Sequence, residues 1–368
     1  MDMASFLEAA VELLSVESVS GRPDELARAV DLVLDFTGPG FTVERFESAG
    51  TPGALVYHGA PRPAFAVILN AHLDVVPAPA AQFRPYREGD RLYARGAMDM
   101  KVAALAQALA FRELAGRLPY PLGLMLVTDE ETSAPQGTLD QLNEGVTAGF
   151  AVIGEATGLG IATECKGIVR VRLTAAGRSA HSAYLWQGDN AVLKLNRAIG
   201  AILAAHPVPD GEAWRATVSV ARVDTSNRAM NQVPADAEAW LDIRFPAGDP
   251  GFDGKTPEQV GAYVAGLCEP GVTAVAGRID PPYRADERHP EVAALRAAVR
   301  GQGHTGEFLR RHGSGDVCFF AEHGVVAVEF GIGGAGLHGP GEYADITTIA
   351  PYHQALTGFL RTPGRDPG

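Results

Sequence analysis

Short, continuously apolar segments alternate with helical segments in the first part of the chain, and this pattern restricts the possible folds more than any other feature. The apolar segments are Ala54 to Tyr57, Phe65 to Leu69, Leu122 to Val127 and Phe150 to Ile153, with a helical pattern from Lys101 to Leu114 between the second and the third. A strand that is apolar at every position is typical of a sheet covered on both faces by helices. We therefore predict an α/β fold with a mixed, largely parallel sheet flanked by helices.

The middle of the chain has a different pattern, in which strands and helices follow the order βαββαβ. Its predicted elements are strands near 168–173, 216–223, 235–244 and 272–275, and helices at 190–205 and 257–267. This order is that of a small ferredoxin-like α+β domain. Because α/β elements resume after it, we predict an inserted domain at residues 167–279, with residues 1–166 and 280–368 forming the first domain.

Charge and hydropathy disfavour several classes of protein. The chain has 31 basic and 44 acidic residues, a formal net charge of −13, which disfavours nucleic acids and anionic membranes as partners. Its apolar runs are far shorter than the roughly 20 residues of a membrane span. The first 19 residues are acidic where a signal peptide has a basic start. We expect a cytoplasmic protein that binds neither nucleic acid nor membrane.

Histidine and acidic residues follow directly after several predicted strands. The positions are His72 and Asp74, Asp129 to Glu131, Glu155 and His338, and Asp99 precedes a helix. Ligands of an open α/β sheet bind beyond the carboxyl ends of its strands, so these side chains are expected at one edge. A single histidine or acidic pair is ordinary on a protein surface, but several acids at one edge repel one another unless a cation compensates them. The joint pattern predicts a metal site.

The donor types restrict the metal. The three cysteines are widely separated and form no CxxC pair, so the ligands must be histidines and carboxylates. This set suits zinc, with cobalt or manganese as alternatives, and has more donors than one tetrahedral ion needs. We therefore predict two divalent metal ions that activate a water molecule, with one carboxylate left free to transfer protons.

Five motifs, in order along nearly the whole chain, resemble those of one enzyme family. They are His72-Leu73-Asp74-Val75-Val76-Pro77, Gly96-Ala97-Met98-Asp99-Met100-Lys101, Thr128-Asp129-Glu130-Glu131, Ile153-Gly154-Glu155-Ala156-Thr157 and Leu337-His338-Gly339-Pro340. The chain resembles the co-catalytic zinc family that contains acetylornithine deacetylase, succinyl-diaminopimelate desuccinylase, aminoacylase and several di- and tripeptidases. In that family the inserted domain is a lid and dimerisation module, so the resemblance implies a homodimer.

The resemblance also implies a role for each motif residue. It gives two ligand sets that share one bridging residue: His72, Asp99 and Glu155 for one metal, and Asp99, Glu131 and His338 for the other. It makes Glu130 the general base and Asp74 the carboxylate that orients the His72 ring by fixing its second N–H. A capping role at a turn is the alternative for Asp74.

Further segments resemble the substrate-binding parts of the family. The residues concerned are His181, which would polarise the scissile carbonyl, Asn231 and Arg244, which would hold the substrate, and Ser314 and Gly315, in a further substrate loop. The planar guanidinium of Arg244 suits a carboxylate. An ordinary salt bridge at a strand end is the alternative for this arginine.

These residues predict a two-zinc hydrolase that cleaves the amide bond of an N-acyl amino acid, of deacetylase or desuccinylase type. Metal-bound hydroxide would attack the carbonyl, with Glu130 as general base and with zinc and His181 stabilising the oxyanion. A dipeptidase or other exopeptidase acting on short peptides is the close alternative, because the same groups cut either bond. A non-catalytic scaffold stabilised by zinc is the alternative from another class, but it would not need the spare acid Glu130.

Overall fold

The computed structural model describes residues 1–48, 50–132 and 137–362. In these ranges the α-helices are α1 (Met3–Leu14), α2 (Pro23–Thr37), α3 (Val102–Leu114), α4 (Gly137–Asn143), α5 (Ala191–Ala205), α6 (Pro257–Gly266), α7 (Pro290–Gly301), α8 (Val317–Glu322) and α9 (Ile349–Leu360). The strands are β1 (Thr42–Ser48), β2 (Thr51–Tyr57), β3 (Phe65–His72), β4 (Tyr86–Glu88), β5 (Arg91–Tyr93), β6 (Leu122–Val127), β7 (Ala148–Ile153), β8 (Ile161–Cys165), β9 (Gly167–Ala176), β10 (Thr217–Asp224), β11 (Asp236–Phe245), β12 (Val272–Asp280), β13 (Tyr283–Arg284), β14 (Phe308–Arg311), β15 (Val326–Glu329), β16 (Gly334–Ala335) and β17 (Tyr343–Asp345).

The largest sheet among the described residues has nine strands. Eight follow the order β1-β2-β6-β3-β7-β15-β8-β13, and β14 also pairs with β8. The central neighbours β6, β3, β7 and β15 are parallel, whereas β1, β2 and β6 pair antiparallel. Every residue of β3 and β6 is buried, which explains why both strands are apolar almost throughout. The mixed, largely parallel sheet predicted from the sequence is confirmed.

Helix α3 packs against the centre of this sheet. It contacts β3 and β6 as well as α2 and α9, and almost all its side chains are buried. Its five alanines in the sequence VAALAQALAFREL leave room for close neighbours on several sides. In the part of the chain described here, no helix combines the length and the apolar character needed to cross a membrane.

The chain divides into two compact units. The first comprises Met1–Thr163, Ala285–Arg310 and the described residues from Gly315 onward, and the second comprises Glu164–Arg284 and Arg311–Ser314. The second unit contains an antiparallel sheet in the order β10-β11-β9-β12, with α5 and α6 packed on it. Buried and exposed residues alternate along most of β9, as expected when one face covers a core. The βαββαβ chain order and this strand order are those of the predicted ferredoxin-like fold.

A small sheet in the first unit was not predicted. Its strands follow the order β16-β17-β5-β4 and have only two or three residues each, too few for a period to be recognised in the sequence. The loop between β16 and β17 carries His338. Strand β17 also contacts the short irregular helical segment Ala97–Lys101, which contains Asp99. The small sheet therefore brings together two segments that are far apart in the chain.

Candidate metal centre

Six side chains with metal-binding atoms converge within the first unit. They are His72 at the end of β3, Asp99 in the segment 97–101, Glu130 and Glu131 in a 3₁₀ turn after β6, Glu155 after β7, and His338 between β16 and β17. Because β6, β3 and β7 are parallel neighbours, their carboxyl ends lie at one edge of the sheet. The topology thus explains how four of these residues meet, and the small sheet supports the other two.

The carboxylate of Asp99 lies between the two imidazoles. Its Oδ1 atom is 2.9 Å from Nε2 of His72, and its Oδ2 atom is 3.3 Å from Nε2 of His338. His72 Nε2 is also 3.4 Å from Oε1 of Glu155, and His338 Nε2 is 3.1 Å from Oε1 of Glu131. The Nε2 atom of each imidazole therefore faces Asp99 and one further carboxylate.

The donor atoms form two groups, each drawn together within 4.8 Å: His72, Glu130 and Glu155 in one, and Asp99, Glu131 and His338 in the other. Zinc binds nitrogen and oxygen donors at about 2.0–2.2 Å, which places the donors of one ion about 3 to 4 Å apart. The contacts of His72 with Glu155 (3.4 Å) and of His338 with Asp99 (3.3 Å) and Glu131 (3.1 Å) fall in this range. Neither group contains sulfur, so the residues present fit zinc, cobalt or manganese. The first group includes Glu130, to which the resemblance gives the role of general base.

The crowding of acids at this centre has an electrostatic cost. Burial, together with the nearby carboxylates of Glu155, Asp316 and Asp99, raises the pKa of Glu130 well above its ordinary value, although His72 opposes this. Burial is also the main reason that the pKa of Glu131 is raised to about 7. A divalent cation among these groups would offset their repulsion, which supports the fit of the donor set to a metal.

The two imidazoles favour the ionised form of Asp99, and Asp99 favours the protonated form of each imidazole. Burial opposes ionisation of Asp99, but hydrogen bonds from His338 and His72 hold the pKa of Asp99 well below its ordinary value. Burial likewise opposes a charged His72, yet its contacts with Asp74, Asp99 and Glu155 raise the pKa of that imidazole well above the usual range. The hydrogen bond with Asp99 is the main cause of the raised pKa of His338.

Asp74 links His72 to the turn that carries the two glutamates. It is fully buried, and its Oδ1 and Oδ2 atoms accept hydrogen bonds from the backbone amides of Glu130 (3.2 Å) and Glu131 (2.9 Å). Nδ1 of His72 lies 3.1 Å from the main-chain oxygen of Asp74 and 3.5 Å from its Oδ1 atom. The carboxylate thus caps the turn, and the shorter contact to the imidazole is made by the main chain.

Two candidate substrate-binding residues lie in neighbouring loops of the second unit. His181 is exposed, and its Nδ1 atom accepts a hydrogen bond of 3.1 Å from the backbone amide of Ala183. This bond leaves Nε2 as the nitrogen that carries the proton in the neutral ring. Asn231 is also exposed, and its main-chain oxygen accepts a hydrogen bond from the backbone amide of Ser182. His181 forms an isolated β-bridge with Gln232.

Arg244 is half-buried in β11 of the second unit. Its Nε and Nη2 atoms donate to Oδ1 and Oδ2 of Asp242 at 2.7 and 3.2 Å. The salt bridge considered as the alternative interpretation is therefore present. It uses two of the five N–H donors of the guanidinium, so it is compatible with an additional carboxylate.

Ser314 and Gly315 lie at the boundary between the units, Ser314 ending the second and Gly315 resuming the first. Gly315 is buried, and a Cβ atom there would lie 2.8 Å from Oε1 of Glu329, so a larger residue would not fit without movement. The next residue, Asp316, accepts a 2.6 Å hydrogen bond from Thr138 Oγ1, and burial raises its pKa to about 7. Asp316 is the last residue of the segment 313–316 that resembles a substrate loop of the family.

Arg95 and Glu342 were not predicted from the sequence. Both are buried, and their side chains contact the backbone of the centre. They pair across 247 positions of the chain, and no spacing rule connects residues so far apart. Their positions were the available signal of a role at the centre. Arg95 directly precedes the motif that begins at Gly96, and Glu342 lies four residues after His338.

Comparisons with known proteins identify the family of the chain. The sequence model described as peptidase family M20/M25/M40 matches residues 68–362. The succinyl-diaminopimelate desuccinylase of Acidiphilium cryptum is 31% identical over 363 residues, which cover 92% of this chain and 93% of the relative. Among solved structures, an M20 family metallo-carboxypeptidase from Sulfolobus solfataricus superposes with a TM-score of 0.77 at 18% identity, covering 98% of this chain and 99% of the other. A tripeptidase from Staphylococcus aureus has a TM-score of 0.77 at 17% identity, covering 98% of each chain. The chain therefore belongs to peptidase family M20/M25/M40 and is a metal-dependent hydrolase of amide bonds.

Proposed function

We propose that this protein is a two-metal deacylase that removes the acyl group from an N-acyl amino acid, as a deacetylase or desuccinylase does. The observation that carries this proposal is the position of Asp99, whose two carboxylate oxygens face different imidazoles at 2.9 and 3.3 Å. A carboxylate in this position could serve as a ligand in both sets of a two-metal centre. A single structural ion would not need both imidazoles on one carboxylate.

The residues around Asp99 divide into two ligand sets in this proposal. His72 and Glu155 would hold one ion together with Asp99, and Glu131 and His338 would hold the other. When bound, the ions would supply Lewis acidity, which lowers the pKa of a water molecule and polarises the substrate carbonyl. The pair is proposed to be zinc, with cobalt and manganese as the alternatives.

Glu130 is assigned as the general base and acid. Its carboxylate lies within 4.8 Å of the donor atoms of His72 and Glu155. Because Asp99 completes that ligand set in this proposal, Glu130 is left free for proton transfer. The hydrogen bond from its backbone amide to Asp74 fixes the turn that carries it. Glu130 would take a proton from the attacking water and transfer it to the nitrogen of the leaving amine. A carboxylate held beside the reacting position can make both transfers.

The second unit would supply substrate contacts. His181, which presents its Nε2–H, would donate to the carbonyl oxygen as negative charge develops there. Arg244 would bind the free α-carboxylate with its remaining guanidinium donors, and Asn231 would add a neutral amide donor. Ser314 and Gly315 would form part of the loop that holds the acyl group.

The class of substrate is inferred from sequence similarity. The relative from Acidiphilium cryptum carries the name succinyl-diaminopimelate desuccinylase, and the aligned region spans more than nine-tenths of both chains. Its named substrate is an N-acyl amino acid with a free carboxylate. The same catalytic groups would also cut a peptide bond, so short peptides belong in any test of this proposal.

The test is a substrate panel. Purified protein loaded in turn with zinc, cobalt or manganese would be assayed with N-succinyl-diaminopimelate, N-acetyl-ornithine, N-acetyl-lysine, N-acetyl-methionine and simple dipeptides, with Glu130→Gln as the control. We expect hydrolysis of one N-acyl amino acid in preference to every dipeptide. Hydrolysis of dipeptides alone would make the protein an exopeptidase. Absence of turnover on every N-acyl amino acid, in protein that binds two ions, would overturn the deacylase assignment.

A further inference from the structure

Arg95 and Glu342 form a buried ion pair next to the metal centre. Each residue is 3% exposed, and Nη1 of Arg95 contacts Oε2 of Glu342. A buried ion pair adds little net stability, because both charges must be removed from water before they can attract one another. The contacts that the two side chains make with other groups therefore indicate their role.

Those contacts reach the backbone of two candidate ligands. Nη2 of Arg95 donates to the main-chain oxygen of His338 at 2.9 Å. Oε1 of Glu342 accepts hydrogen bonds from the backbone amides of Met98 at 3.1 Å and Asp99 at 3.3 Å. A continuous chain of contacts thus runs from the backbone of His338 through Arg95 and Glu342 to the backbone of Asp99.

Neither backbone segment is fixed by regular secondary structure at these residues. His338 has φ 58°, in the left-handed region that a residue with a Cβ atom rarely adopts. Asp99 (φ −124°, ψ 95°) and Met100 (φ −132°, ψ 26°) both depart from helical geometry within the segment Ala97–Lys101. Contacts from side chains therefore contribute, together with the backbone hydrogen bonds of the flanking residues, to the separation of these two residues.

We propose that Arg95 and Glu342 are positioning residues that hold Asp99 and His338 at the separation needed to bind one metal ion together with Glu131. This proposal rests on the proposed function, because it takes these three residues as ligands. The rigid guanidinium suits the task, since one nitrogen pairs with Glu342 while the other reaches the carbonyl of His338. A lysine would keep the charge but not this fixed fork.

The test measures metal binding in two variants. Arg95→Lys keeps the charge opposite Glu342, and the double variant Arg95→Met with Glu342→Leu replaces the pair by apolar side chains, a change that often preserves stability. Affinities for Zn²⁺ and Co²⁺ would be measured by competition with a chelating dye, and the number of ions per chain by elemental analysis. Circular dichroism and thermal unfolding with a chelator present would show whether each variant folds.

The expected result is a selective loss. One of the two ions should bind about 10- to 100-fold more weakly in both variants, the range found when groups that orient metal ligands are removed. The visible spectrum of Co²⁺ should lose the contribution of that ion, while the other ion changes less. If the double variant does not fold, Arg95→Lys still provides the measurement.

Arg62, which is in a partly exposed ion pair, provides a control in the same unit. It pairs with Glu44 at 2.7 Å, and its Nη2 atom donates to the main-chain oxygen of Glu144 at 2.7 Å. Arg62→Met therefore removes an ion pair and a contact to a carbonyl of the same kind, and it should leave both metal affinities unchanged.

Three results would overturn the positioning role. Unchanged affinities in folded Arg95→Lys would leave the pair with a structural role and the proposed function intact. Equal metal loss in Arg62→Met would attribute the effect to general destabilisation. Wild-type protein that binds no divalent ion would overturn the proposed function, and this proposal with it.

Discussion

Oε1 of Glu131 lies 3.1 Å from Nε2 of His338, although the two residues are 207 positions apart in the chain. Glu131 follows a strand of the large sheet, and His338 lies between two strands of the small sheet. The candidate centre therefore depends on the correct placement of both sheets. A change that disturbs the centre should therefore alter both the affinity for metal and the stability of the folded protein.

Removal of metal should abolish activity and lower the thermal stability of the protein. Buried carboxylates at the centre repel one another, and a bound cation would offset this repulsion as well as stabilise the folded state by mass action. Thermal unfolding and hydrolysis would be measured with a strong chelator and after re-addition of Zn²⁺, Co²⁺ or Mn²⁺. Full turnover in protein shown by elemental analysis to be free of metal would contradict the prediction.

Glu130→Gln and Glu131→Gln should have different effects, although the residues are adjacent. Glu130→Gln should keep both ions and lower kcat by several orders of magnitude, because it removes the proton shuttle but no ligand. Glu131→Gln should also lose metal, since its carboxylate faces His338. Metal content and kcat would be measured for both. Equal metal loss in the two variants would mean that these assignments are interchanged.

Asp316→Asn should remove part of the dependence of stability on pH. Burial raises the pKa of Asp316 from 3.8 to about 7, so the folded state favours the neutral acid. The stability that this group contributes is fully present below about pH 4 and is lost as pH rises to about 7. Relative to wild type, Asp316→Asn should therefore gain stability over this range, by up to roughly 4 kcal/mol. Urea unfolding from pH 4 to 8, with a chelator present, measures the difference.

Thr138→Val provides the matched variant for that measurement. The Thr138 hydroxyl donates to Asp316 and lowers its pKa, partly opposing the effect of burial. Its removal should raise the pKa further and increase the loss of stability at high pH. A stability difference between Asp316→Asn and wild type that does not vary with pH would refute the role given to burial of this carboxyl group.

Arg244→Ala should raise KM much more for substrates with a free α-carboxylate than for their amides. A hydrogen bond to a charged group is worth roughly 1.5 to 3 kcal/mol, which corresponds to roughly a 10- to 200-fold change. Asp242→Asn, which removes the partner of Arg244 but not its guanidinium, is the control and should retain the preference for the carboxylate. Equal losses on carboxylate and amide substrates would leave Arg244 with the structural salt bridge alone.

The parts of the molecule that could be predicted from sequence are those with a local pattern. Strands β3 and β6 are apolar because every residue in them is buried, and β9 alternates because only one of its faces is covered. The side chains with metal-binding atoms were recognisable because they directly follow such strands, and the ends of parallel strands lie together in the fold. These features depend on neighbours in the chain.

The features that escaped prediction depend on contacts between distant residues. In the small sheet, Tyr343 pairs with Tyr93 across 250 positions, and three-residue strands have no recognisable period. The contact between Arg95 and Glu342 was likewise not predictable, because the two residues are far apart in the chain. Asp74 illustrates a further limit, because a sequence motif identifies the residue but not whether its carboxylate or its main chain makes the shorter contact with His72.

The last prediction is that the active site is shared between two subunits of a homodimer. The family resemblance implies that the inserted domain dimerises and that its histidine acts at the metals of the partner subunit. His181 is exposed on the second unit and keeps Nε2 as a donor because Nδ1 accepts from Ala183, so it is suited to a carbonyl supplied from outside its own loop. A two-fold dimer would make this exchange symmetric.

Glu130→Ala and His181→Ala proteins, each nearly inactive alone, should therefore regain activity when they are co-expressed. A mixed dimer has one site in which Glu130 from one subunit and His181 from the other are both intact, so verified mixed dimers should approach half the wild-type kcat per dimer. Two tags on the chains would allow the mixed dimer to be purified, and Glu130→Ala co-expressed with itself provides the baseline. If His181 instead serves its own subunit, each site of the mixed dimer lacks one of the two groups. Folded, metal-loaded mixed dimers would then remain inactive, and a strictly monomeric active enzyme would exclude the exchange altogether.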